Sequence, residues 1–274
     1  MTTPEMTGPF DDAYARVEGW SAIEAVGPDA GKFLQNLCTG DVLKLADGQS
    51  CEAMFLDVKA HIHAYGWVSR TGAERYVVLL SSAHSDRLQT HLDRYLIREK
   101  VELKLVPPGV WTISRDVASA LTVRVEAFGE GVVAALDADT PSGRLMSHEE
   151  FEQTRIALRV PLDGVDVDDR NLPQEVDRNS YAISFTKGCY LGQEPVARID
   201  ALGRVNWLLR CVRIEGAAPL PGLELTLDEK PVGRVTSSVS IEGGALALAY
   251  VRREHSGAGS ELRVDGLRAV ITSA

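Results

Sequence analysis

Lys187-Gly188-Cys189-Tyr190-Leu191-Gly192-Gln193-Glu194 is the densest run of chemically versatile side chains in the sequence. Its two glycines, four positions apart, permit tight turns or close backbone approach to a ligand. Lys187 lies two residues from Cys189, and a nearby ammonium favours the thiolate and so a more reactive thiol. Tyr190 offers a ring to stack and Glu194 a carboxylate to pair. The same run also reads as a glycine-rich helix entry around a buried cysteine, and residue types alone leave both readings open.

The flanks differ in charge. Residues 161–180 hold Asp163, Asp166, Asp168, Asp169, Glu175 and Asp177 against only Arg170 and Arg178. That stretch is irregular and too long for an ordinary connector, which predicts a functional loop. After the octapeptide come Arg198, Arg204, Arg210 and Arg213, opposed only by Asp200. A carboxylate-rich side beside an arginine-rich side suits a ligand with a donor-rich head and an anionic tail. Carboxylates accept paired N–H bonds, and guanidinium forks clamp carboxylates in the same geometry. A pterin with a glutamyl tail has that polarity, as do many other ligands. A solvated strand face is the alternative for the arginines.

Further out, the pattern alternates between strands and short helices. Val17–Val26, Cys51–Val58, Ile62–Ser69 and Tyr76–Leu80 read as strands. Asp29 is placed to cap a helix carrying Phe33, Leu34 and Leu37, and a second helix is predicted with Leu88, Leu92, Tyr95 and Leu96 on one face. Pro107-Pro108-Gly109 reads as a break between strands Val101–Val106 and Val110–Ser114. Ser147 and Glu150 form a capping-box pair that starts a helix reaching to about Arg159. Beyond residue 205, short β-rich runs are separated by Pro221-Gly222, Gly243-Gly244, Gly257-Ala258-Gly259 and Asp265-Gly266. That spacing predicts a small antiparallel barrel or sandwich.

The chain has 274 residues, 45% of them hydrophobic, with 29 basic against 39 acidic side chains and a net charge of -10. The acidic balance argues against non-specific nucleic-acid binding. The longest clean apolar run, Ala245 to Val251, is far short of the ~20 residues of a membrane span. MTTPEMTGPFDDAY at the N-terminus lacks a basic patch followed by an apolar stretch, so no signal peptide and a cytoplasmic location are expected. None of Cys38, Cys51, Cys189 and Cys211 forms a Cys-x-x-Cys pair, which argues against structural zinc and a redox dithiol. His61 and His63 fall on one side of a strand and form a candidate metal pair, with His84 and His91 as further candidates. No carboxylate sits at a recognisable ligand spacing, and solvent-facing histidines are the simpler reading, so no metal is expected. Gly27 to Lys32 is one residue short of a phosphate loop. Gly-x-Ser-x-Gly and Gly-x-Gly-x-x-Gly motifs are absent.

KGCYLGQEPVARI at 187–199 resembles the signature of the folate-binding YgfZ family, relatives of the glycine-cleavage T-protein, an aminomethyltransferase. FLQNLCTGDV at 33–42, MFLDVKAHIHAYGWV at 54–68, RYLIREKVEL at 94–103 and NLPQEV at 171–176 extend the resemblance along most of the chain. It implies an α+β fold: two interleaved α+β modules over 1–200 around a central folate-sized cavity, then a C-terminal antiparallel β-barrel over 201–274. It implies tetrahydrofolate, or a related reduced folate, as cofactor. The implied role is that of an accessory protein in iron–sulfur cluster assembly or repair, whose partners are iron–sulfur enzymes or cluster carriers. The family's motif cysteine matches Cys189, with Lys187 as its activator. The T-protein's pterin-binding glutamate maps to Glu175, after Pro173. Tyr190, Gln193 and Glu194 then belong to the ligand site, and Arg198 and Arg204 are candidates for the glutamyl tail.

Two departures bear on activity. Ala60 stands where the family's strand-pair turn has glycine. Ala64-Tyr65 stands where the T-protein has an aspartate that handles the reacting folate nitrogen, so the group expected to manage that proton is missing. An accessory role is therefore expected over the alternative, a folate-dependent aminomethyl or C1 transferase or demethylase. A binding module without folate, in which Cys189 is inert, is a third reading.

Overall fold

The computed structural model describes residues 8–272. The first seven residues of the stretch on which the signal-peptide expectation rests lie outside them. Strand β1 (Ala13–Val26) is followed by α1 (Ala30–Leu37), β2 (Ser50–Leu56), β3 (Ile62–Gly72), β4 (Arg75–Leu80) and α2 (Ser85–Asp93). Then come β5 (Glu102–Ser114), β6 (Thr122–Arg124), β7 (Val133–Leu136) and the two-residue β8 (Arg144–Leu145). These strands form one sheet in the order β2-β3-β4-β1-β5-β7-β6, with β8 parallel to β1. One face packs Trp20, Trp67, Phe128 and Phe151; the rings of Trp20 and Trp67 stack with centroids 5.7 Å apart. The other face takes α1 through Phe33, Leu34 and Leu37 and α2 through Leu88 and Leu92. Coverage on both faces explains why β2 and β4 read as nearly continuous apolar runs.

Three local expectations are modified. Asp29 sits at the N-cap of α1, but its carboxylate accepts from the Lys100 backbone N–H at 2.8 Å instead of capping the helix. The second helix stops at Asp93, and Tyr95 and Leu96 continue its packing from the turn that follows. Pro107-Pro108-Gly109 does not break the strand: β5 runs through it. Trp20 pairs with Gly109 and Ala22 with Val106, and the register of β1 shifts on both sides of Trp20. A bulge there leaves the two prolines outside the ladder, where their missing N–H groups cost nothing.

Helix α3 (His148–Ala157) starts with the predicted capping box: Ser147 Oγ accepts from Glu150 N at 3.1 Å, and Glu150 Oε2 accepts from Ser147 N at 2.7 Å. After the acidic segment and a single turn, α4 (Asn179–Ala182), helix α5 (Gln193–Leu202) leads into the barrel. Its strands are β9 (Trp207–Ile214), β10 (Glu224–Leu227), β11 (Lys230–Ile241), β12 (Gly244–Arg252), β13 (Glu261–Val264) and β14 (Leu267–Ile271). They close in the order β10-β11-β12-β9-β14-β13 around Val212, Leu225, Val235 and Leu262, and closure leaves no unpaired edge. The fold is thus α+β with a closed six-stranded antiparallel barrel, as expected, and its helices are few.

A third core joins sheet to barrel: Leu56, Ile62 and Tyr65 pack with Val176, Tyr190, Leu209 and Tyr250. Beside it, Arg155 of α3, 1% exposed, donates to Asp166 at 3.0 Å and to Ser237 of β11 at 2.8 Å. No helix among the described residues is long and apolar enough to cross a membrane.

Candidate functional site

The octapeptide is a clasp between α1 and the β2–β3 turn. Leu191 N–H donates to Asn36 O at 2.9 Å. Gly192 has φ +80, and a Cβ there would lie 2.6 Å from Asp57 O. Only glycine permits both that conformation and that approach. Gly188 has neither a positive φ nor a neighbour within 4 Å of a built Cβ. The β2–β3 turn is itself unusual. Asp57 Oδ1 accepts from Lys59 N and His61 N at 2.8 and 2.9 Å, and Ala60 takes φ +67. That left-handed conformation is the physical reason a glycine suits position 60.

Lys187 is held by backbone carbonyls of the chain after α1. Its Nζ turns inward and donates to Cys38 O at 2.7 Å and Gly40 O at 2.6 Å, 5.0 Å from the centroid of the Tyr190 ring. Burial pushes its ammonium below the usual lysine range. Its role here is to pin the chain after α1 beneath the motif. Cys189 points the other way, is exposed, and lines an open depression of about 650 Å³ with Lys32, Tyr95, Arg98 and Glu99. Tyr190 is 7% exposed, and burial pushes its hydroxyl up to about 12. Gln193, Glu194 and Arg198 border an adjacent depression with Val58 and Lys59. Arg204 is exposed in the turn beyond α5.

Glu175 lies elsewhere. It closes a 3-10 turn, Pro173–Val176, in which its Oε2 accepts from Leu172 N at 3.1 Å. It is 8% exposed, and burial raises its carboxyl above the ordinary range. It lines a cavity of about 540 Å³ with His61, Arg170, Trp207, Arg234 and Tyr250. That volume falls within the several-hundred-Å³ range of small-molecule sites. The Tyr250 hydroxyl is buried and has no hydrogen-bond partner among the described residues, and burial holds its pKa well above the usual value. Buried polar groups are ordinarily satisfied, so the orphaned hydroxyl is an unfilled hydrogen-bonding position on a residue that lines this cavity. Arg234 and Tyr250 face each other across β11 and β12. They and Trp207 were missed in the sequence. Their only signal was strand alternation, and nothing local links them to Glu175.

The acidic loop is mostly structural. Asp163 accepts from Tyr65 N at 2.8 Å and from Ser82 Oγ at 2.6 Å. Asp166 holds Arg155, Asp168 pairs with Arg170, Asp169 with Arg87, and Asp177 with Arg210. Arg178 forks onto Glu52, whose Oε2 also accepts from the Tyr65 hydroxyl at 2.6 Å. Among the described residues Glu175 forms no ion pair, and it lines a cavity. Arg210 is likewise committed, to Asp177 at 2.5 Å and Ser256 O at 3.0 Å. Arg198 and Arg204 do not line the Glu175 cavity; Arg170 and Arg234 do. His61 and His63 do not converge on one point. His61 Nδ1 lies 3.2 Å from Asp57 Oδ2, whereas His63 stacks on His91.

Comparison with known proteins follows the two halves of the fold. Residues 15–114 match the GCVT N-terminal domain, and residues 209–273 match the CAF17 C-terminal beta-barrel domain. The mouse mitochondrial iron-sulfur cluster assembly factor IBA57 is 27% identical over 278 residues, spanning 87% of this chain and 77% of that protein. The Klebsiella pneumoniae tRNA-modifying protein YgfZ is 25% identical, spanning 86% and 83% respectively. The crystal structure of glycine cleavage system aminomethyltransferase T from Bartonella henselae superposes with a TM-score of 0.78. It covers 95% of this chain and 85% of that one at 14% identity, a likeness of fold.

Proposed function

We propose, from the premise that this chain is a YgfZ-type relative of the glycine-cleavage T-protein, that it is a reduced-folate-binding accessory protein of iron–sulfur cluster assembly or repair. The observation that carries the folate reading is the pair Glu175 and Tyr250 in one cavity. Among the described residues, one oxygen of the Glu175 carboxylate takes no protein donor and the Tyr250 hydroxyl has no partner. A pterin edge presents adjacent N–H donors to a carboxylate and further polar atoms to a hydroxyl. Trp207 supplies an aromatic wall. Arg234, free of ion pairs among the described residues, takes an anionic tail in preference to Arg198 or Arg204.

The cluster reading draws on relatives whose names state that role. Cys189 is exposed on a depression that shares no lining residue with the Glu175 cavity. Its thiol therefore meets a partner protein or that partner's cluster, which is cargo. One cysteine supplies one of the four thiolates an ordinary cluster needs, so the partner provides the rest. Where the T-protein has its proton-handling aspartate, this chain buries Ala64 and Tyr65, and the Tyr65 hydroxyl is bound to Glu52. That favours an accessory role over C1 transfer.

Titration calorimetry with tetrahydrofolate tests the first half. Glu175→Gln replaces an ionic hydrogen bond of roughly 1.5–3 kcal/mol, so affinity falls about tenfold to a hundredfold. No binding by the unaltered protein at millimolar ligand defeats the folate reading. A deletion strain complemented with Cys189→Ser tests the second: iron–sulfur enzyme activities stay low, and full rescue overturns the role given to the thiol.

A further inference from the structure

Helix α2 and strand β3 build a second, smaller pocket that the folate reading does not use. Arg87, Thr90 and Arg94 lie at i, i+3 and i+7 of the α2 stretch, on one stripe, with His91 beside them. Strand β3 brings His63 against this stripe, its ring stacked on His91 with centroids 4.4 Å apart and planes 25° apart. The five side chains line a cavity of about 300 Å³. No carboxylate lines it, and it shares no residue with the Glu175 cavity.

The donors there outnumber the acceptors. His91 is 4% exposed, and its buried Nε2 has no hydrogen-bond partner among the described residues. Arg94 forms no ion pair among the described residues. Arg87 reaches Asp169 at 2.9 Å, with both side chains about half exposed. Thr90 is committed to the Asp86 carbonyl at 2.9 Å and serves only as wall. Asp57 and Asp169 are the nearby carboxylates, and they act on the rings from outside the pocket. Burial and the neighbouring guanidinium groups hold both imidazoles below the ordinary histidine range. Two guanidiniums and two imidazoles border this half-open pocket with no carboxylate in its lining, an arrangement suited to an anion.

We propose that the His63–His91–Arg87–Arg94 pocket binds a tetrahedral oxyanion, either free phosphate or the phosphate group of a small metabolite. A dianion there neutralises Arg94, gives the imidazoles an acceptor and favours their protonated forms. Binding is therefore coupled to proton uptake and tightens as pH falls.

The test uses the full chain at low ionic strength. Inorganic phosphate is titrated in while the imidazole C–H resonances of His63 and His91 are followed, with chloride at matched ionic strength as control. Phosphate shifts both rings in the millimolar range and chloride does not. Equal responses to both salts are ordinary screening and overturn the proposal. Arg94→Gln, at an exposed position, keeps its thermal transition and loses about tenfold in affinity; unchanged affinity also overturns it. Sulfate, whose charge is constant from pH 8 to 6, separates proton coupling from phosphate's own titration. It binds up to about tenfold more tightly per pH unit lost where one proton is taken up, and a flat profile refutes the coupling. Glycerol 3-phosphate distinguishes the sources. Tenfold tighter binding than phosphate assigns the site to a phosphorylated metabolite, and equal binding assigns it to the free ion.

Discussion

Acid should destabilise this protein through one buried ring. His91 packs between His63 and Tyr95, 4% exposed, and its pKa is pushed down to about 4 from the ordinary 6.5. The first cause is burial, and the second is repulsion from His63 and Arg94. The folded-state value lies below the unfolded one. The stability tied to the neutral ring is thus fully present above pH 6.5 and is lost as pH falls toward 4. At about 1.36 kcal/mol per pH unit, the loss reaches about 3 kcal/mol at pH 4, a large share of the roughly 5–15 kcal/mol by which domains are stable. Carboxylates titrate in the same range, so the assay is a difference. Urea unfolding is measured at pH 7.5, 6.0, 5.0 and 4.5 for the unaltered protein and His91→Gln, in buffers free of phosphate and sulfate. The gap in unfolding free energy shrinks or reverses by about 2.5 kcal/mol from the top of that range to the bottom. Profiles that stay parallel within about 0.5 kcal/mol, the usual spread for independent sites, refute the reasoning.

Other outcomes follow from the same geometry. In the native protein, iodoacetamide labels Cys189 first, because burial pushes the thiols of Cys38, Cys51 and Cys211 up while Cys189 is exposed; mass mapping of early adducts to any other cysteine contradicts it. Arg178→Met leaves Glu52 buried without its cation and costs about 3–5 kcal/mol in a denaturant titration. A cost below about 1 kcal/mol would place that pair in the class of surface bridges. Gly192→Ala adds a left-handed penalty of about 1–2 kcal/mol to a clash with Asp57 O. It lowers the melting temperature and exposes Cys189 and Tyr190 to faster modification, whereas an unchanged melting temperature disproves the close approach.

Much of the fold was legible. Turn pairs such as Asp265-Gly266 and Gly243-Gly244 marked the barrel, because period-2 runs and turn residues act through near neighbours. The capping box at Ser147 was legible for the same reason. The octapeptide was recognisable as a motif, but the direction of each side chain in it was not. Lys187 and Cys189 are two residues apart, yet one reaches carbonyls 147 and 149 positions away in sequence and the other faces solvent. The acidic loop looked like a ligand face because its partners are distant. Arg178 meets Glu52 across 126 residues, and Asp166 meets Ser237 across 71.

The sequence by itself determined the fold class, the barrel and the family resemblance, since these rest on local periodicity and on a contiguous motif. Tertiary structure alone decided which charges are free. It consumed most of the loop carboxylates in ion pairs, left Glu175 facing Tyr250 and Arg234, and put Cys189 on a different depression. It also stacked His63 on His91. The physical reason is that burial leaves a charge stable only beside a partner, and the chain finds those partners when remote segments pack.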